Sequence, residues 1–152
     1  MENLVLNYLK ANLGKNFRPE FAPPFTKWLN GTLLKIEEGE AEMSFVVREE
    51  MTNALGILHG GIHSAILDEV IGMTISVMSL PTVYVSLNLN VDFLAPAKTG
   101  ETITAKVKVV RAGKTIIHAI GELYNAQNQL LSKATTNLAN TGKPRQNLQI
   151  VA

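Results

Sequence analysis

The longest apolar stretch of the chain runs from Ile62 to Met78, and its apolar residues recur at helical spacing on nearly every face. A helix that is apolar all round is typical of the interior of a domain. Asp68 and Glu69 lie in the middle of the stretch, where two carboxylates would be costly in lipid. The pattern therefore predicts the buried helix of a soluble domain, with no membrane partner, ending before Pro81.

Strands are predicted on both sides of this helix, because apolar and polar residues alternate there with the period of a half-buried strand. Two strands precede the helix and are joined by a turn at Glu38-Gly39, and four strands follow it. The clearest alternation spans Val83–Phe93, whose apolar members are expected to share one face. By number, the six predicted strands are 28–36, 41–47, 83–93, 101–111, 115–124 and 129–139.

This order of elements predicts a single α+β domain at residues 28–140. Short connections favour antiparallel neighbours, and a curved antiparallel sheet wrapped around one long helix buries the apolar surface of both. Residues 1–27 are expected to hold a short amphipathic helix at 4–13 and a proline-rich, extended connector at 18–25. Residues 141–152 are expected to form a polar tail that frays.

The composition fits one globular domain, since the chain has 152 residues of which 46% are apolar. With 14 basic against 13 acidic side chains, neither nucleic acid nor an anionic membrane surface is indicated as a partner. The absence of cysteine excludes disulfides, thiolate zinc sites and a cysteine nucleophile. Because Met1–Leu4 also lacks the basic and apolar regions of a signal peptide, we expect a cytoplasmic protein.

Candidate chemistry is concentrated around the apolar helix. A buried carboxylate at Asp68 would cost free energy unless it were paired, and it would suit a general base or a carboxylate nucleophile. The alternative is a solvated position on the helix surface, and composition favours neither. His59-Gly60-Gly61 comes just before the helix, whose first N–H groups lack internal partners and can bind a developing oxyanion. An ordinary glycine-rich turn is the alternative there.

Other kinds of site are not indicated. His59 and His63 are four residues apart, but His59 precedes the helix and Gly60 stands where the metalloprotease helix motif has its glutamate, so no metal site is predicted. A core or exposed position is sufficient to explain His63 and His118. No nucleophile elbow, phosphate loop or dinucleotide fingerprint is present, so serine hydrolases, nucleotide hydrolases and dehydrogenases have little support.

Three sequence blocks carry a family resemblance. NALGILHGG at 53–61 is followed by Leu67-Asp68, VSLNLNVDFLAPA stands at 85–97, and RAGKT at 111–115. In this order and spacing the blocks resemble the PaaI-like acyl-CoA thioesterases of the hotdog-fold superfamily. The resemblance implies a hotdog fold, in which a curved antiparallel sheet wraps around one long central helix.

The resemblance also implies catalytic roles. Asn53 is expected to help hold the nucleophilic water or the thioester, and His59 to orient the loop and the thioester. Gly60 is expected to donate its N–H to the thioester carbonyl. Asp68 is implied as the catalytic carboxylate, reaching across a dimer interface, and Ser86 as a hydroxyl close to it.

Contacts to coenzyme A are implied at the start of the helix, in the loop after Phe93 and in the turn after Arg111. No metal is expected, and no cofactor, because coenzyme A is part of the substrate. The resemblance implies a homodimer or a dimer of dimers. The expected substrate contacts are Gly61, Phe93, Pro96, Ala97, Lys98, Arg111, Gly113, Lys114 and Thr115.

An acyl-CoA thioesterase is therefore the predicted function. The main alternative is a hotdog module that binds or senses acyl-CoA without turnover, and a structural oligomeriser or a hydratase of the same fold are others. Asp68 discriminates among these, because a pure binding module has no need of a carboxylate at that position. A DNA-binding regulator has little support, since the segment before Trp28 is too short for a helix-turn-helix domain and a linker.

Overall fold

Helix α3 (Gly60–Ser76) lies at the centre of the fold, and a six-stranded antiparallel sheet curves around it. The computed structural model describes residues 3–145. The α+β hotdog arrangement expected from the sequence is confirmed. In chain order the other elements are α1 (Leu4–Lys10), α2 (Pro24–Leu29), β1 (Thr32–Glu37), β2 (Glu40–Val46), β3 (Thr82–Phe93), β4 (Thr102–Ala112), β5 (Ile116–Asn125) and β6 (Leu130–Pro144).

Helix α3 contributes a large apolar surface to the core. Leu67 and Ile71 pack against Gly121 of β5, where a Cβ atom would lie 3.2 Å from the Leu67 side chain. Glycine at this position therefore lets the helix approach the sheet closely. Among residues 3–145, no helix is long and apolar enough to cross a membrane. The buried residues of α3 are His63, Ile66, Leu67, Val70, Ile71, Met73, Thr74 and Ile75.

The strands are arranged in the order β1-β2-β4-β5-β6-β3, and every neighbouring pair is antiparallel. Strands β3 and β4 are consecutive in the chain but are not neighbours, which differs from the expectation for short connections. Both edges of β4 are already paired, one with β2 and the other with β5, so β3 cannot lie beside it. Strand β3 instead pairs with the outer edge of β6, and the loop at 94–101 crosses the end of the sheet. Within the described part of the chain, the other edge of β3 is unpaired.

A β-bulge interrupts β3 at Leu87. The pairing with β6 passes from Ser86 opposite Leu138 to Asn88 opposite Asn137, so β3 advances by two residues while β6 advances by one. Two contacts hold the strand after the bulge: the Asn88 side-chain oxygen accepts the Asn137 N–H at 2.8 Å, and the Asn88 carbonyl accepts the hydroxyl of a buried threonine at 2.6 Å. The bulge is therefore a defined part of the strand.

The bulge changes which side chains of β3 face the helix. Before it, Tyr84 packs against the core and Ser86 faces α3, whereas after it Leu89 and Val91 pack against the core. The expectation that the apolar residues of this strand share one face is wrong, because one extra residue shifts the alternation. The apolar residues exposed up to the bulge are Val83, Val85 and Leu87.

The segment expected to be an extended connector instead leads into helix α2. Pro24 starts this helix, because proline is tolerated in a first helical turn. Trp28, expected at the start of the first strand, lies in α2, and that strand begins at Thr32. The buried Thr26 hydroxyl donates to the Glu69 carboxylate, which attaches α2 to α3.

Helix α1 confirms the predicted N-terminal helix, although it ends at Lys10 rather than at Leu13. Asn3 anchors its start in two directions. The side-chain oxygen accepts the Leu6 N–H at 3.0 Å, and the side-chain amide donates to the Val77 carbonyl at 2.6 Å. The helix therefore packs against the domain close to the end of α3.

The C-terminal segment is more regular than expected, because β6 continues to Pro144. The Arg145 guanidinium donates to the carbonyl of Met78 at 2.8 Å and to that of Ser76, while its backbone N–H donates to the Pro81 carbonyl at 3.1 Å. Carbonyls at a helix C-terminus lack intrahelical partners and attract cations. The predicted frayed tail is wrong for residues 141–145, and residues 146–152 lie outside the described part.

We expect Arg145→Ala to lower the free energy of unfolding by roughly 1.5–3 kcal/mol, because hydrogen bonds from a charged donor contribute about that much. Urea unfolding would measure the loss. Lys143→Ala is the matched control, since Lys143 is an exposed cation two residues earlier, in the last part of β6, and its removal should change stability little. Equal stability of the two variants would show that Arg145 does not hold the end of α3.

Candidate active site

The start of α3 is shaped by His59, which caps the helix. Its Nδ1 accepts the Gly61 N–H at 2.9 Å, and its own backbone N–H donates to the Met51 carbonyl at 2.9 Å. A Cβ atom on residue 61 would lie 3.0 Å from that Nδ1, so glycine leaves room for the ring to fold back. Because Nδ1 accepts this hydrogen bond, the proton of the neutral imidazole is on Nε2. The Nε2–H group is therefore not used in the contact with Gly61.

Gly60 begins α3 and lies against the Phe93 ring. A Cβ atom on Gly60 would be 3.3 Å from the Phe93 ring, so a larger residue would displace one of them. The first N–H groups of a helix have no intrahelical acceptor. Among residues 3–145, no acceptor contacts the Gly60 N–H. This donor is therefore available to a ligand.

The loop that contains Asn53 is joined to the loop after β3. The Leu58 N–H donates to the Ala97 carbonyl at 2.8 Å, and Ile57 bridges to Lys98. Two of the expected substrate contacts, Ala97 and Lys98, are thereby held beside the start of α3, although Ala97 is itself buried. Pro96, which precedes Ala97 in the same loop, is exposed.

Asn53 closes its own loop with one end of its side chain. Its Oδ1 accepts the Leu55 N–H at 2.9 Å and the Ile57 N–H at 3.4 Å. Within the described residues, the side-chain NH₂ group has no acceptor. The loop therefore fixes the amide while leaving its donor free, as the predicted role requires.

Asp68 lies two turns further along α3 and contacts Ser86. The Ser86 hydroxyl donates to Asp68 Oδ1 at 3.4 Å, a long hydrogen bond. Both residues are exposed in the single chain. Of the two alternatives that the sequence left open for Asp68, a buried carboxylate and a solvated position on the helix surface, one chain alone shows the second, because this face of the central helix lies at the sheet edge formed by β3.

Glu69 has a different environment from its neighbour. It accepts the hydrogen bond from the buried Thr26 of α2 and is only partly exposed. Successive residues of a helix point about 100° apart, so the two carboxylates face different elements. Glu69 therefore attaches the N-terminal segment, a contact that the sequence alone did not reveal.

The turn between β4 and β5 is anchored by side chains of other strands. The Tyr84 hydroxyl lies 3.1 Å from the Gly113 carbonyl and 3.0 Å from the Lys114 carbonyl. The Asn140 amide also donates to the Lys114 carbonyl, at 2.9 Å. Arg111, Lys114 and Thr115 are exposed, so the turn presents two cations to solvent at a fixed position.

One chain brings the predicted catalytic residues together only as two separate groups. Asn53, His59 and Gly60 lie at the start of α3, whereas Asp68 and Ser86 lie further along it. Because a helix rises 1.5 Å per residue, the eight residues from Gly60 to Asp68 span about 12 Å along the axis. A short aspartate side chain cannot reach across that distance to a carbonyl held by Gly60.

The predicted coenzyme A contacts are separated in the same way. The loop after Phe93 lies at one end of β3, whereas the turn at 111–115 contacts Tyr84 near the other end. Nine residues of strand correspond to roughly 25–30 Å. One chain therefore holds these two predicted contact segments well apart.

Two buried polar residues near the helix start were given no functional role from the sequence: His63, for which a core or exposed position was sufficient, and Ser132. His63 is 3% exposed, and its Nδ1 lies 3.0 Å from the Oγ of Ser132, which is fully buried. Burial lowers the pKa of the His63 imidazole, which favours the neutral ring. The His63 ring also meets Phe93 edge-on, with centroids 5.6 Å apart. The feature of the sequence that could have pointed to this buried pair is a histidine within an apolar stretch.

The histidines do not form a metal site in the described part of the chain. His59 and His63 use their Nδ1 atoms for different partners, and His118 lies 2.9 Å from the Asn137 side-chain oxygen. Among residues 3–145, no group of three His, Asp or Glu side chains could hold a metal ion.

Comparison with known proteins places this geometry in a family. The family model described as the thioesterase superfamily matches residues 55–132. Acyl-coenzyme A thioesterase 13 of Homo sapiens is 32% identical over 117 residues, which cover 77% of this chain and 79% of the human protein.

Solved structures share the fold. The E. coli PaaI protein from the phenylacetic acid degradation operon superposes with a TM-score of 0.72 at 24% identity, covering 78% of this chain and 84% of that one. A hypothetical thioesterase of Streptococcus pneumoniae, solved with coenzyme A, gives 0.71 at 24% identity and covers 76% and 89%. The family match spans half of the chain and the resemblance seen in its sequence is confirmed, so this chain belongs to the thioesterase superfamily.

Proposed function

We propose that this chain is an acyl-CoA thioesterase, which hydrolyses a thioester to a free acid and coenzyme A. The Gly60 N–H at the start of α3, which has no acceptor among residues 3–145, carries the proposal, because acyl transfer needs a donor at the place where the oxyanion develops. The residues that accompany it are Asn53, His59, Asp68 and Ser86, and their roles stay predictions.

The start of α3 suits the thioester carbonyl. Its oxygen would accept the Gly60 N–H, and the partial positive charge at a helix N-terminus would favour the negative charge that develops on it. His59 presents its Nε2–H and Asn53 its side-chain NH₂ from the same end of the domain. Together they offer donors to a thioester or to water without a metal ion.

Asp68 supplies the carboxylate. It either accepts a proton from the attacking water or attacks the carbonyl carbon itself, forming an anhydride that water then opens. On the first route water adds to the acyl carbon and the carbon–sulfur bond then breaks. On the second, the carbon–sulfur bond breaks as the Asp68 carboxylate forms the anhydride, and water then cleaves the anhydride to free acid and carboxylate. On both routes the sulfur leaves as thiolate and takes up a proton as coenzyme A. The Ser86 hydroxyl, 3.4 Å from Asp68 Oδ1, would orient the carboxylate or the water.

The complete site would be formed by two copies of the chain. Strand β3 has a free backbone edge among the described residues, and a long open edge of this kind is normally paired or covered. Pairing β3 antiparallel with the β3 of a second copy would extend the sheet across a two-fold axis. Such an axis is typical of homodimers.

The same axis would bring together the two groups of catalytic residues, and also the two coenzyme A segments, that lie apart in one chain. Phe93 lies beside Gly60, and Ser86 lies beside Asp68. An axis that crosses β3 midway between Ser86 and Phe93 would place the second copy's Asp68 near the first copy's Gly60. It would equally carry the second copy's β4–β5 turn towards the first copy's loop after Phe93. A single two-fold rotation would therefore bring together both the catalytic groups and the coenzyme A contacts.

The proposal also covers assembly beyond the dimer and the location of the protein in the cell. A dimer of dimers would leave this site unchanged, because the axis within each dimer already completes it. The binding of coenzyme A in a protein of the same fold supports the ligand proposed for the turn and the loop. A cytoplasmic location stays a prediction of the sequence.

We expect Asp68→Ala to reduce kcat for thioester hydrolysis by about a hundredfold or more while the protein stays folded, because it removes the base or nucleophile. Glu69→Ala is the matched control. It should retain activity but lose about 1–3 kcal/mol of stability, since the buried Thr26 hydroxyl would lack its acceptor. Kinetics with a panel of aliphatic and aryl acyl-CoA substrates would test both. Near-normal turnover by folded Asp68→Ala would refute the proposed role.

We expect two inactive variants to restore activity when their subunits exchange. Asn53→Asp keeps the oxygen that holds the loop but replaces the free amide, and Asp68→Ala removes the carboxylate. In a mixed dimer one site would carry both changes and the other would be intact. An equal mixture should therefore recover about a quarter of wild-type activity, given random pairing. Failure to recover despite demonstrated exchange would argue that each site lies within one chain.

We expect Arg111→Ala combined with Lys114→Ala to raise KM more than it lowers kcat, because phosphate contacts bind substrate and transition state alike. The increase in KM should be several-fold at low ionic strength and smaller at high salt, where exposed charges are screened. Lys106→Ala combined with Lys108→Ala, two exposed cations of β4, is the matched charge control. The same KM in both double variants at low salt would exclude the turn from phosphate binding.

A further inference from the structure

We infer that His63, held by Ser132 and supporting Phe93, positions the Gly60 N–H that receives the thioester oxygen. His63 would act as a positioning residue, without touching the substrate. The inference rests on the proposed thioesterase function.

The buried pair of His63 and Ser132 is not explained by packing alone. Both side chains are buried, at 3% and 0% exposure, and their Nδ1 and Oγ atoms lie 3.0 Å apart. Burying polar groups costs free energy unless they are hydrogen-bonded to each other. An aliphatic pair would fill an apolar core without that requirement. The histidine and serine therefore add a directional contact between the first turn of α3 and strand β6.

This contact reaches β6 at the position that also holds the substrate loop. The carbonyl of Leu131, the neighbour of Ser132, accepts the N–H groups of Leu94 at 2.9 Å and Ala95 at 3.1 Å. Two consecutive residues of β6 thus hold the helix start and the loop after β3. The His63 hydrogen bond fixes the first turn of α3 relative to that loop.

Phe93 links His63 to the oxyanion donor. The His63 ring meets the Phe93 ring edge-on, at an interplanar angle of 82° and a centroid distance of 5.6 Å. The Phe93 ring in turn lies against Gly60, 3.3 Å from the position of a Cβ atom there. A shift of the imidazole would therefore be transmitted to the residue whose N–H faces the thioester.

The expected consequence is a loss of turnover rather than of binding. A donor placed slightly wrongly stabilises the developing oxyanion less, whereas Arg111 and Lys114, the proposed phosphate contacts, lie in a turn near the far end of β3 from Phe93 and are unaffected. Removing an oxyanion donor altogether costs about 10²–10³-fold in kcat. We therefore expect a smaller loss of about tenfold when His63 is replaced.

The test compares variants of His63 and Ser132. His63→Leu removes the hydrogen bond and the polar ring, and Ser132→Ala removes only the partner hydroxyl, so the latter is the variant least able to disturb folding. Both should lower kcat with little change in KM, and the double variant should fall no further than His63→Leu, since the two residues act through one contact. His63→Asn, whose amide can take the place of Nδ1, should restore much of the turnover.

Thr74→Val is the matched control, because it removes a buried hydroxyl from the same helix three turns away, where Thr74 Oγ1 donates to the Val70 carbonyl at 2.7 Å. It should lower the melting temperature and leave kcat unchanged. If His63→Leu and Ser132→Ala lose stability as Thr74→Val does but keep wild-type kcat, or raise KM instead, the inference is overturned while thioesterase function stands. A wild-type protein inactive on every acyl-CoA would overturn both.

Discussion

The rigidity of α3 is the constraint on which the candidate site depends. An α-helix fixes the spacing of its residues at 1.5 Å each, so Gly60 and Asp68 cannot approach one another without breaking backbone hydrogen bonds. Thioester hydrolysis needs a donor for the oxyanion and a carboxylate that acts on the same carbon. A single chain presents these two groups about two turns apart. The proposed cooperation of the two groups therefore calls for a second chain running in the opposite direction, and the edge of β3 that is unpaired among residues 3–145 is a suitable place for it.

The bulge in β3 reconciles two requirements placed on that edge strand. Ahead of Leu87, Ser86 must face the helix to contact Asp68, and beyond it Leu89 and Val91 must face the core. Strict alternation cannot do both, because Ser86 and Leu89 are an odd number of residues apart and would lie on opposite faces. One inserted residue places both on the helix side. The bulge thereby joins a polar site and an apolar core on one strand.

The sequence predicted those features that periodicity determines. The apolar helix at 62–78 and the alternating strands around it sufficed for the fold, and the family resemblance directed attention to Gly60 and Asp68. Periodicity could not show the bulge, because apolar and polar residues alternate without a break through Leu87. It also could not show that Asp68 is exposed, since an apolar helix does not reveal which of its faces lies at the sheet edge. Similarly, the polar residues after Asn140 show no apolar alternation from which the last part of β6 could be predicted, because backbone hydrogen bonds hold it.

The adjacent carboxylates of α3 show how local surroundings separate two chemically equivalent groups. Glu69 faces α2, where the buried Thr26 hydroxyl occupies one of its oxygens and thereby attaches the N-terminal segment. Asp68, about 100° away round the helix, faces the open edge of the sheet, and its hydrogen-bond partner among residues 3–145 is Ser86, at a long distance. A base or nucleophile must keep an oxygen accessible to the substrate, and of these two only Asp68 lies towards the edge at which a second copy would bring a thioester. The direction in which the helix presents each residue therefore decides which of the two carboxylates is available for the proposed role.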